Sequence, residues 1–377
     1  MSFRDAPKDK PFFYVWNTLL THESRIWERS NIPLTVNPKD VKIPSYFPDI
    51  PEVRNDIARK YSNIEAMDEK VGEIISQLEE DGLLENTIIM FWSDHGGNLL
   101  RQKRAVGNSG LNVPLIIRYP NKIDAGKVDD RIVSLMDLGP TVLSLLNIEP
   151  PKHYDGKAIA GKYEESPRKY AFGTADRFDE STDMQRSVLD GRYVYIKNFM
   201  PELPLIYRNK YRERITMNSK LIQMDSLDML EGDAKYIFMK TKPFEEFYDL
   251  KTDPYEVNNI IDDTKYADRI NNFRDALQNW QNEINDQGFI PENKIVESFW
   301  PNLIQPKTEN VEFKMRDDGL YELTSITNGA SIGYQIEDQI GTNSWSLYHK
   351  PILVGDKQKI VARAIRLGYK ASEITSN

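Results

Sequence analysis

The sequence contains no cysteine and only four histidines among its 377 residues. The absence of cysteine excludes disulfides, thiolate metal sites and a cysteine nucleophile within this chain. No apolar stretch approaches the roughly 18 residues of a membrane-spanning helix, and the first residues lack the layout of a signal peptide. A net charge of −9 argues against a nucleic-acid surface. We therefore expect a globular chain of about two or three domains, with chemistry carried by oxygen and nitrogen groups.

The segment 87–97, TIIMFWSDHGG, predicts a buried strand that ends in a polar turn. A run that is apolar on both faces is typical of a parallel strand with helices on both sides. Ligands collect outside the carboxyl ends of such strands, where Asp94 and His95 offer oxygen and nitrogen donors to a divalent cation. A helix-capping Asp beside a structural His explains the same two residues, so spacing alone leaves both interpretations open.

A second candidate group follows the segment 12–17, FFYVWN, which predicts another short buried strand. His22 lies just beyond it, so we expect His22 at the same edge of the sheet as Asp94. A histidine there can protonate a leaving oxygen or hold an anion. A lone histidine after a strand is more often structural, and that alternative stays open.

The loop 98–110 after His95 is polar and basic, with Arg101, Lys103 and Arg104 close together. A solvated basic loop is the simpler interpretation. Beside a metal site, however, a lysine supplies a compact positive charge where an oxyanion lies, and such charge stabilisation is often a large catalytic contribution.

The first region of the chain alternates predicted strands and helices. Helical spacing of apolar residues predicts a helix over 54–81, and later apolar runs predict a strand over 113–118 and a helix over 137–147. This order favours an α/β domain with a mostly parallel sheet.

The pattern changes near Lys169, where short strand-like runs alternate with polar stretches. A helix is predicted over 267–285, a linker over 291–306 and a small all-β domain of short strands over 311–373. The predicted divisions are 1–168, 169–300 and 307–377.

Several ordered blocks between residues 10 and 288 resemble the sulfatase family, within the alkaline-phosphatase-like superfamily. The blocks are KPFFYVWNTLLTHESRIW, MDEKVGEIISQLEEDGLLENTIIMFWSDHGG, RQKRAVGNSGLNVPLIIRYP, SLMDLGPTVLSLLNIEPP and EFYDLKTDPYEVNNI. The C-terminal GASIGYQI, WSLYHKPI and ARAIRLGYK resemble small β-sandwich modules appended to glycan-active hydrolases. The resemblance implies an alkaline-phosphatase-like α/β/α sandwich, incomplete at its N-terminus, followed by a small all-β domain.

The resemblance also implies roles for individual residues. Asp94 and His95 would be two ligands of a single Ca²⁺. Lys103 would contact the sulfate and its bridging oxygen, and His22 would contact the sulfate and serve as general acid. Arg177 would face the substrate.

The chain departs from the family pattern at the nucleophile. Family sulfatases use a formylglycine made from Cys or Ser in a C/S-x-P-S-R motif, together with two further metal-ligand aspartates near the N-terminus. The 377 residues contain no such motif, and HESR at 22–25 does not match it because no proline precedes its serine. We therefore expect a fragment of a sulfatase with weak Ca²⁺ binding, an exposed sheet edge and little activity alone. A complementing N-terminal fragment would be its partner.

The leading functional prediction is a sulfuric ester hydrolase for sulfated glycans or aryl sulfates, with a periplasmic or extracellular location implied by the resemblance. A non-catalytic sulfoglycan-binding or partner subunit is one alternative. A phosphoester hydrolase of the same superfamily is another, although two-metal sites need more ligands and His153 and His349 lie in unrelated contexts.

Overall fold

The computed structural model describes residues 2–7, 9–355 and 358–377, apart from the side chain of residue 338. The chain forms two compact units, residues 1–285 and 286–377. The predicted fold class, an α/β region followed by a small all-β region, is confirmed. The finer division of the first region near residue 168 stays a prediction.

The first unit contains α-helices along its whole length. They are α1 (Ser24–Glu28), α2 (Pro51–Glu80), α3 (Asn108–Leu111), α4 (Leu138–Leu145), α5 (Thr216–Ser226), α6 (Gly232–Ile237) and α7 (Ala267–Glu283). The predicted helices over 54–81, 137–147 and 267–285 correspond to α2, α4 and α7. Helix α2 begins three residues earlier than predicted because Pro51 occupies the first turn, where a missing N–H costs nothing. In the part of the chain that is described, no helix has the length and apolar character needed to cross a membrane.

Helix α2 is covered on only part of the apolar stripe that its sequence predicts. Val53 and Ile57 are buried in the core of the first unit, where they pack with residues of α5 such as Leu221. Farther along the stripe, Tyr61 and Ile64 are 40% and 36% exposed. The periodicity therefore identified the apolar face but not the extent of its burial.

The strand that precedes Asp94 is β1 (Ile89–Trp92), and it pairs with β2 (Leu115–Arg118) in a two-stranded sheet. The pairing is antiparallel, with Ile89 opposite Arg118, so the prediction of a parallel strand here is wrong. The prediction of burial on both faces is also wrong, because Trp92 is 38% exposed and Ile116 on β2 is 61% exposed. An apolar run indicates a strand but does not fix the direction of its neighbour.

The first unit also contains a four-stranded antiparallel sheet, in the order β3 (Ala171–Phe178), β4 (Ser181–Leu189), β5 (Tyr193–Asn198) and β6 (Glu245–Asp249). Helix α7 packs Phe273 and Leu277 against Tyr195 of β5 and Phe247 of β6. Strand β4 was not predicted, because its sequence STDMQRSVL is largely polar.

The predicted strand over 12–17 is absent, so that prediction is wrong. Its residues do alternate in exposure, with Phe13 77% exposed and Tyr14 half-buried. An alternating sequence becomes a strand only when another strand supplies hydrogen bonds, and none of the described strands pairs with this segment. His22 therefore follows an irregular segment and precedes α1.

The second unit begins with α8 (Glu292–Phe299), which contradicts the predicted linker over 291–306. Its strands are β7 (Glu312–Met315), β8 (Leu320–Thr324), β9 (Ser331–Ile336), β10 (Ser346–Leu347), β11 (Ile352–Leu353), β12 (Ile360–Ile365) and β13 (Thr375–Ser376). They form two antiparallel sheets, ordered β10-β9-β12-β13 and β11-β8-β7. Leu323 from one sheet and Ile360 from the other share one core, as expected of a small sandwich.

Candidate functional site

His22 and Lys103 come together in the first unit although 81 residues separate them. The Nζ of Lys103 lies 3.3 Å from Nε2 of His22, and both side chains are half-buried. Asn98 helps to align the two segments, since its Nδ2 donates to the carbonyl of Thr21 at 2.8 Å. Burial lowers the pKa of His22 and the charge of Lys103 lowers it further. The imidazole is therefore neutral at pH 7, with Nε2 accepting from the lysine.

Glu23 fixes the position of Lys103 beside His22. Its side chain is 1% exposed and receives Lys103 Nζ at 3.1 Å. Arg104 donates to both of its carboxylate oxygens, at 2.9 and 3.0 Å. Burial acts to raise the pKa of Glu23, but the two cations outweigh it and the pKa lies below its usual value. A buried carboxylate thus fixes two cations side by side, as buried charges require partners.

The three basic residues of the loop have different roles. The guanidinium of Arg101 is buried and donates to the carbonyls of Tyr255 and Glu256, so it fastens the loop to the rest of the unit. Arg104 forms ion pairs with Glu23 and Asp179. Arg101 and Arg104 both have positive φ angles, of 63° and 73°, a conformation that non-glycine residues adopt only when their surroundings hold it. Lys103 alone faces His22.

Asp94 and His95 follow β1 as predicted, and both lie close enough to His22 to affect its pKa. Nδ1 of His95 lies 2.8 Å from the carbonyl of Gly96, which places its proton there and leaves the lone pair of Nε2 available. The carboxylate of Asp94 is 87% exposed, and its Oδ1 lies 3.8 Å from His95 Nε2. The two donor atoms are therefore close together, but only the His95 ring is fixed by a hydrogen bond.

The two glycines after His95 lie against the basic loop, Gly96 against its backbone and Gly97 against the side chain of Gln102. A Cβ on Gly96 would lie 2.0 Å from the carbonyl oxygen of Ser109, and one on Gly97 would lie 1.9 Å from Oε1 of Gln102. Gly96 N also donates to the carbonyl of Gly110 at 2.8 Å. The glycines therefore let the strand end dock onto the basic loop, which brings His95 and Lys103 to one place.

The described residues do not form a complete cage for the calcium ion that the resemblance implies. Calcium takes six to eight oxygen ligands, and no group of three or more His, Asp or Glu side chains that could hold a metal occurs among them. Asp94 and His95 supply two donors. This donor set is too small to hold the ion by itself.

A cleft of about 100 Å³, partly open to solvent, lies beside Lys103 between the basic loop and the β3–β4 hairpin. Phe178, Tyr207 and Arg212 are among its lining residues. Arg177 lies on β3 next to a register shift in the β3–β4 pairing and is not one of the lining residues. Its predicted substrate contact stays a prediction.

Sequence reasoning missed Glu23, Asp179 and Arg212. Glu23 sits in HESR, where an acidic residue before a short helix reads as solvent-exposed. Its burial depends on Arg104, which is distant in sequence, so no local pattern distinguishes it. Arg212 lies in a charged stretch, RNKYRER, in which five of the seven residues are exposed or half-buried, and no spacing in the sequence marks it as buried.

The sulfatase family profile matches residues 2–148 of this chain. An ulvan-active sulfatase of Formosa agariphila is 34% identical over 412 residues, an alignment that covers 98% of this chain and 68% of that protein. Human N-sulphoglucosamine sulphohydrolase is 25% identical, with 73% of this chain and 57% of that protein covered. The chain thus spans 68% and 57% of the lengths of these two relatives.

Among solved structures, a 2-O GAG sulfatase aligns with a TM-score of 0.46 at 21% identity, covering 62% of this chain and 44% of that one. The identity to the ulvan-active sulfatase extends over nearly the whole chain. The profile match contains His22, Asp94, His95 and Lys103. The chain belongs to the sulfatase family.

Proposed function

We propose that this chain carries the sulfate-binding side of a sulfuric ester hydrolase site that takes sulfated glycans. The observation that carries the proposal is the 3.3 Å approach of Lys103 Nζ to His22 Nε2, with the lysine anchored on buried Glu23. A fixed ammonium beside an imidazole suits a sulfate oxyanion, because preorganised charge costs no rearrangement when the anion arrives.

The relatives support the choice of substrate class. One is active on ulvan, and others are named for N-sulphoglucosamine and for N-acetylglucosamine-6-O-sulfate groups. Family membership also supports an exported location, which we propose together with the glycan substrate. We therefore propose sulfated glycans, rather than small aryl sulfates, as the ligands of this chain.

Each site residue has a proposed role. Lys103 neutralises the sulfate and stabilises charge on its bridging oxygen. His22 is neutral in the free chain because of burial and Lys103, and an anion between the two groups would raise its pKa and let it carry the proton for the leaving alcohol. Asp94 and His95 would hold Ca²⁺ with ligands from elsewhere, and Arg177 would reach the substrate from β3.

We further propose that the 377 residues alone hydrolyse sulfate esters poorly. They contain neither cysteine nor a Ser-x-Pro-Ser-Arg sequence from which a formylglycine could be made, and without that nucleophile there is no covalent step. A polypeptide that carries the motif would be the complementing partner.

Binding and turnover are tested separately. Calorimetry with a monosulfated disaccharide should show binding that weakens about tenfold or more in Lys103→Ala, the value of one charged hydrogen bond. Lys127→Ala, which removes an exposed lysine, should leave the affinity unchanged. Absence of binding to the unmodified chain, or equal loss in both variants, would contradict the proposal.

Turnover is measured with 4-nitrophenyl sulfate and 4-nitrophenyl phosphate in the presence of calcium chloride. We expect little hydrolysis of either. Robust sulfate release would refute the proposed inactivity, and selective phosphate release would favour a phosphoester hydrolase. A non-catalytic sulfoglycan-binding subunit also binds without turnover, and it is distinguished by upstream DNA that encodes no in-frame C/S-x-P-S-R.

A further inference from the structure

Arg212 is a buried cation whose guanidinium lacks a partner at one end. The residue is 7% exposed, and its Nη2 has no hydrogen-bond partner among the described residues. Its backbone is fixed on both sides, since its N–H donates to Asn209 Oδ1 at 3.0 Å and its carbonyl accepts from Asn218 Nδ2 at 2.9 Å. A buried donor without a partner costs stability, so its position requires another explanation.

Arg212 lines the same cleft as Lys103. Arg104, Glu23 and Asp179 are the charged groups that act on Arg212. Glu23 also accepts from Lys103 Nζ at 3.1 Å. The wall of the cleft therefore carries two cationic groups, Lys103 and Arg212, and Glu23 acts on both.

The carboxylates that line the cleft already have donors of their own. Asp176 accepts from Arg186 at 2.8 Å, Asp183 from Lys242 at 2.9 Å, Asp179 from Arg104 at 2.5 Å, Glu246 from Asn198 at 2.6 Å and Glu256 from the N–H of Asn108 at 2.8 Å. In the cluster around Glu23, three cations (Lys103, Arg104 and Arg212) face two carboxylates, Glu23 and Asp179. Arg212 is the one of these three cations that has no ion pair with either carboxylate.

Burial is the main influence on Arg212, and it lowers the pKa of the guanidinium to about 10. The group remains charged at pH 7. A buried, charged, planar donor that opens on a cleft is suited to an anionic oxygen.

We infer that Arg212 binds a second anionic group of the glycan, a carboxylate or a second sulfate, while the first sulfate lies at Lys103. An oxygen of that group accepts from Nη2 and satisfies the buried donor. Arg212 is thus a specificity-determining residue that selects glycans with two anionic groups. The inference rests on the proposed sulfated-glycan function of the same cleft.

The test uses the full 377-residue chain and three defined disaccharides. One carries a single sulfate and a uronic carboxylate, the second is its neutral methyl ester, and the third carries two sulfates and no carboxylate. Calorimetry should show that the unmodified chain prefers at least one doubly anionic probe to the ester by about tenfold, as expected for one charged hydrogen bond. The preferred probe identifies the anion.

Arg212→Met should abolish that preference while the methyl ester binds as before. Lys210→Met removes an exposed cation two residues away and should preserve it. In the free protein, Arg212→Met should raise or maintain the urea midpoint, because it removes an unpartnered buried charge, whereas a purely structural arginine would lower it. If Arg212→Met does not fold, Arg212→Lys replaces it and should reduce the preference without abolishing it.

Two failures are distinguishable. Equal binding of the three probes, each weakened by Lys103→Ala, contradicts the role of Arg212 and leaves the sulfate site intact. The same preference in the unmodified chain and in Arg212→Met also contradicts it. Binding of none of the probes contradicts the sulfated-glycan function and the inference together.

Discussion

The two sides of the candidate site differ in how far the chain itself completes them. On the cationic side, Lys103 and Arg104 are fixed by a carboxylate, Glu23, that is 1% exposed. On the opposite side, the carboxylate of Asp94 is 87% exposed and its neighbour His95 is held only through its own ring nitrogen. The side proposed to bind sulfate is preorganised by contacts within the chain, and the side proposed to bind calcium is not.

The difference shows what burial does to a charged group. Glu23 is buried with two cations, so its pKa falls, whereas Asp56 on α2 is buried with a backbone N–H and no cation as its hydrogen-bond partner, so burial raises its pKa to about 6. Partners, rather than depth, decide which charges the fold tolerates. Four experiments extend this comparison.

The largest effect is expected from Glu23→Ala, which leaves Lys103 and Arg104 without their common partner. Breaking a buried ion pair from one side costs about 3–5 kcal/mol, so the free energy of urea unfolding should fall by that amount. Glu28→Ala, at the end of α1, breaks an exposed pair with Arg25 and should cost less than about 1 kcal/mol. Equal losses would show that the cationic side is no better organised than the surface.

Asp56 gives the second effect, through pH. Its folded pKa of about 6 exceeds the unfolded value of 3.8, so the folded state binds the extra proton and this contribution to stability is lost as pH rises from about 4 to 6. The free energy of unfolding of the unmodified chain, relative to Asp56→Asn, should fall by about 2 kcal/mol between pH 4 and pH 7.

Asp49 supplies the control for that titration. Its hydrogen bond with Arg54 lowers its pKa, so stability gained from Asp49 is present above the unfolded pKa and lost as pH falls. The relative free energy of Asp49→Asn should therefore change in the opposite direction. A flat curve for Asp56 would show that its carboxylate is solvated in the folded chain.

A third experiment addresses the docking of the strand end onto the basic loop. Gly96→Ala places a Cβ 2.0 Å from the backbone oxygen of Ser109, and forced overpacking costs about 1–3 kcal/mol. Gly72→Ala on α2 has nothing within 4 Å and should gain about 0.5–1 kcal/mol from helix propensity. Thermal or urea unfolding measures both, and tolerance of Gly96→Ala would mean that the two sides are not rigidly joined.

The smallest effect is expected at Asp94. Without metal, Asp94→Asn should change the unfolding free energy by less than about 0.5 kcal/mol, as exposed substitutions do. Calcium titration should give a dissociation constant larger than about 1 mM, which means weaker binding than at complete protein sites. Micromolar calcium binding that Asp94→Asn removes would show that the metal side is as complete as the cationic side.

The sequence predicted the strand end with Asp94 and His95, and it placed His22 and Lys103 in one site. It did so through motif order, because the segment 12–17 that was expected to position His22 is not a strand. The direction of β2, the polar strand β4 and the helix α8 could not be predicted, since each depends on tertiary contacts. Arg101, Lys103 and Arg104 look equivalent in the sequence, and only their partners separate their roles.

The backbone of the basic loop limits which substitutions it can accept over evolution. At positions 101 and 104, with φ angles of 63° and 73°, glycine would relieve the backbone strain but would delete the contacts to the 255–256 carbonyls or to Glu23. Asparagine or aspartate would ease the strain in part but lose the contacts, and most other residues would keep the strain and lose the contacts. Neither glycine nor another side chain can therefore replace arginine at these two positions without a loss. A library randomised at both positions and selected for folding should return arginine at both.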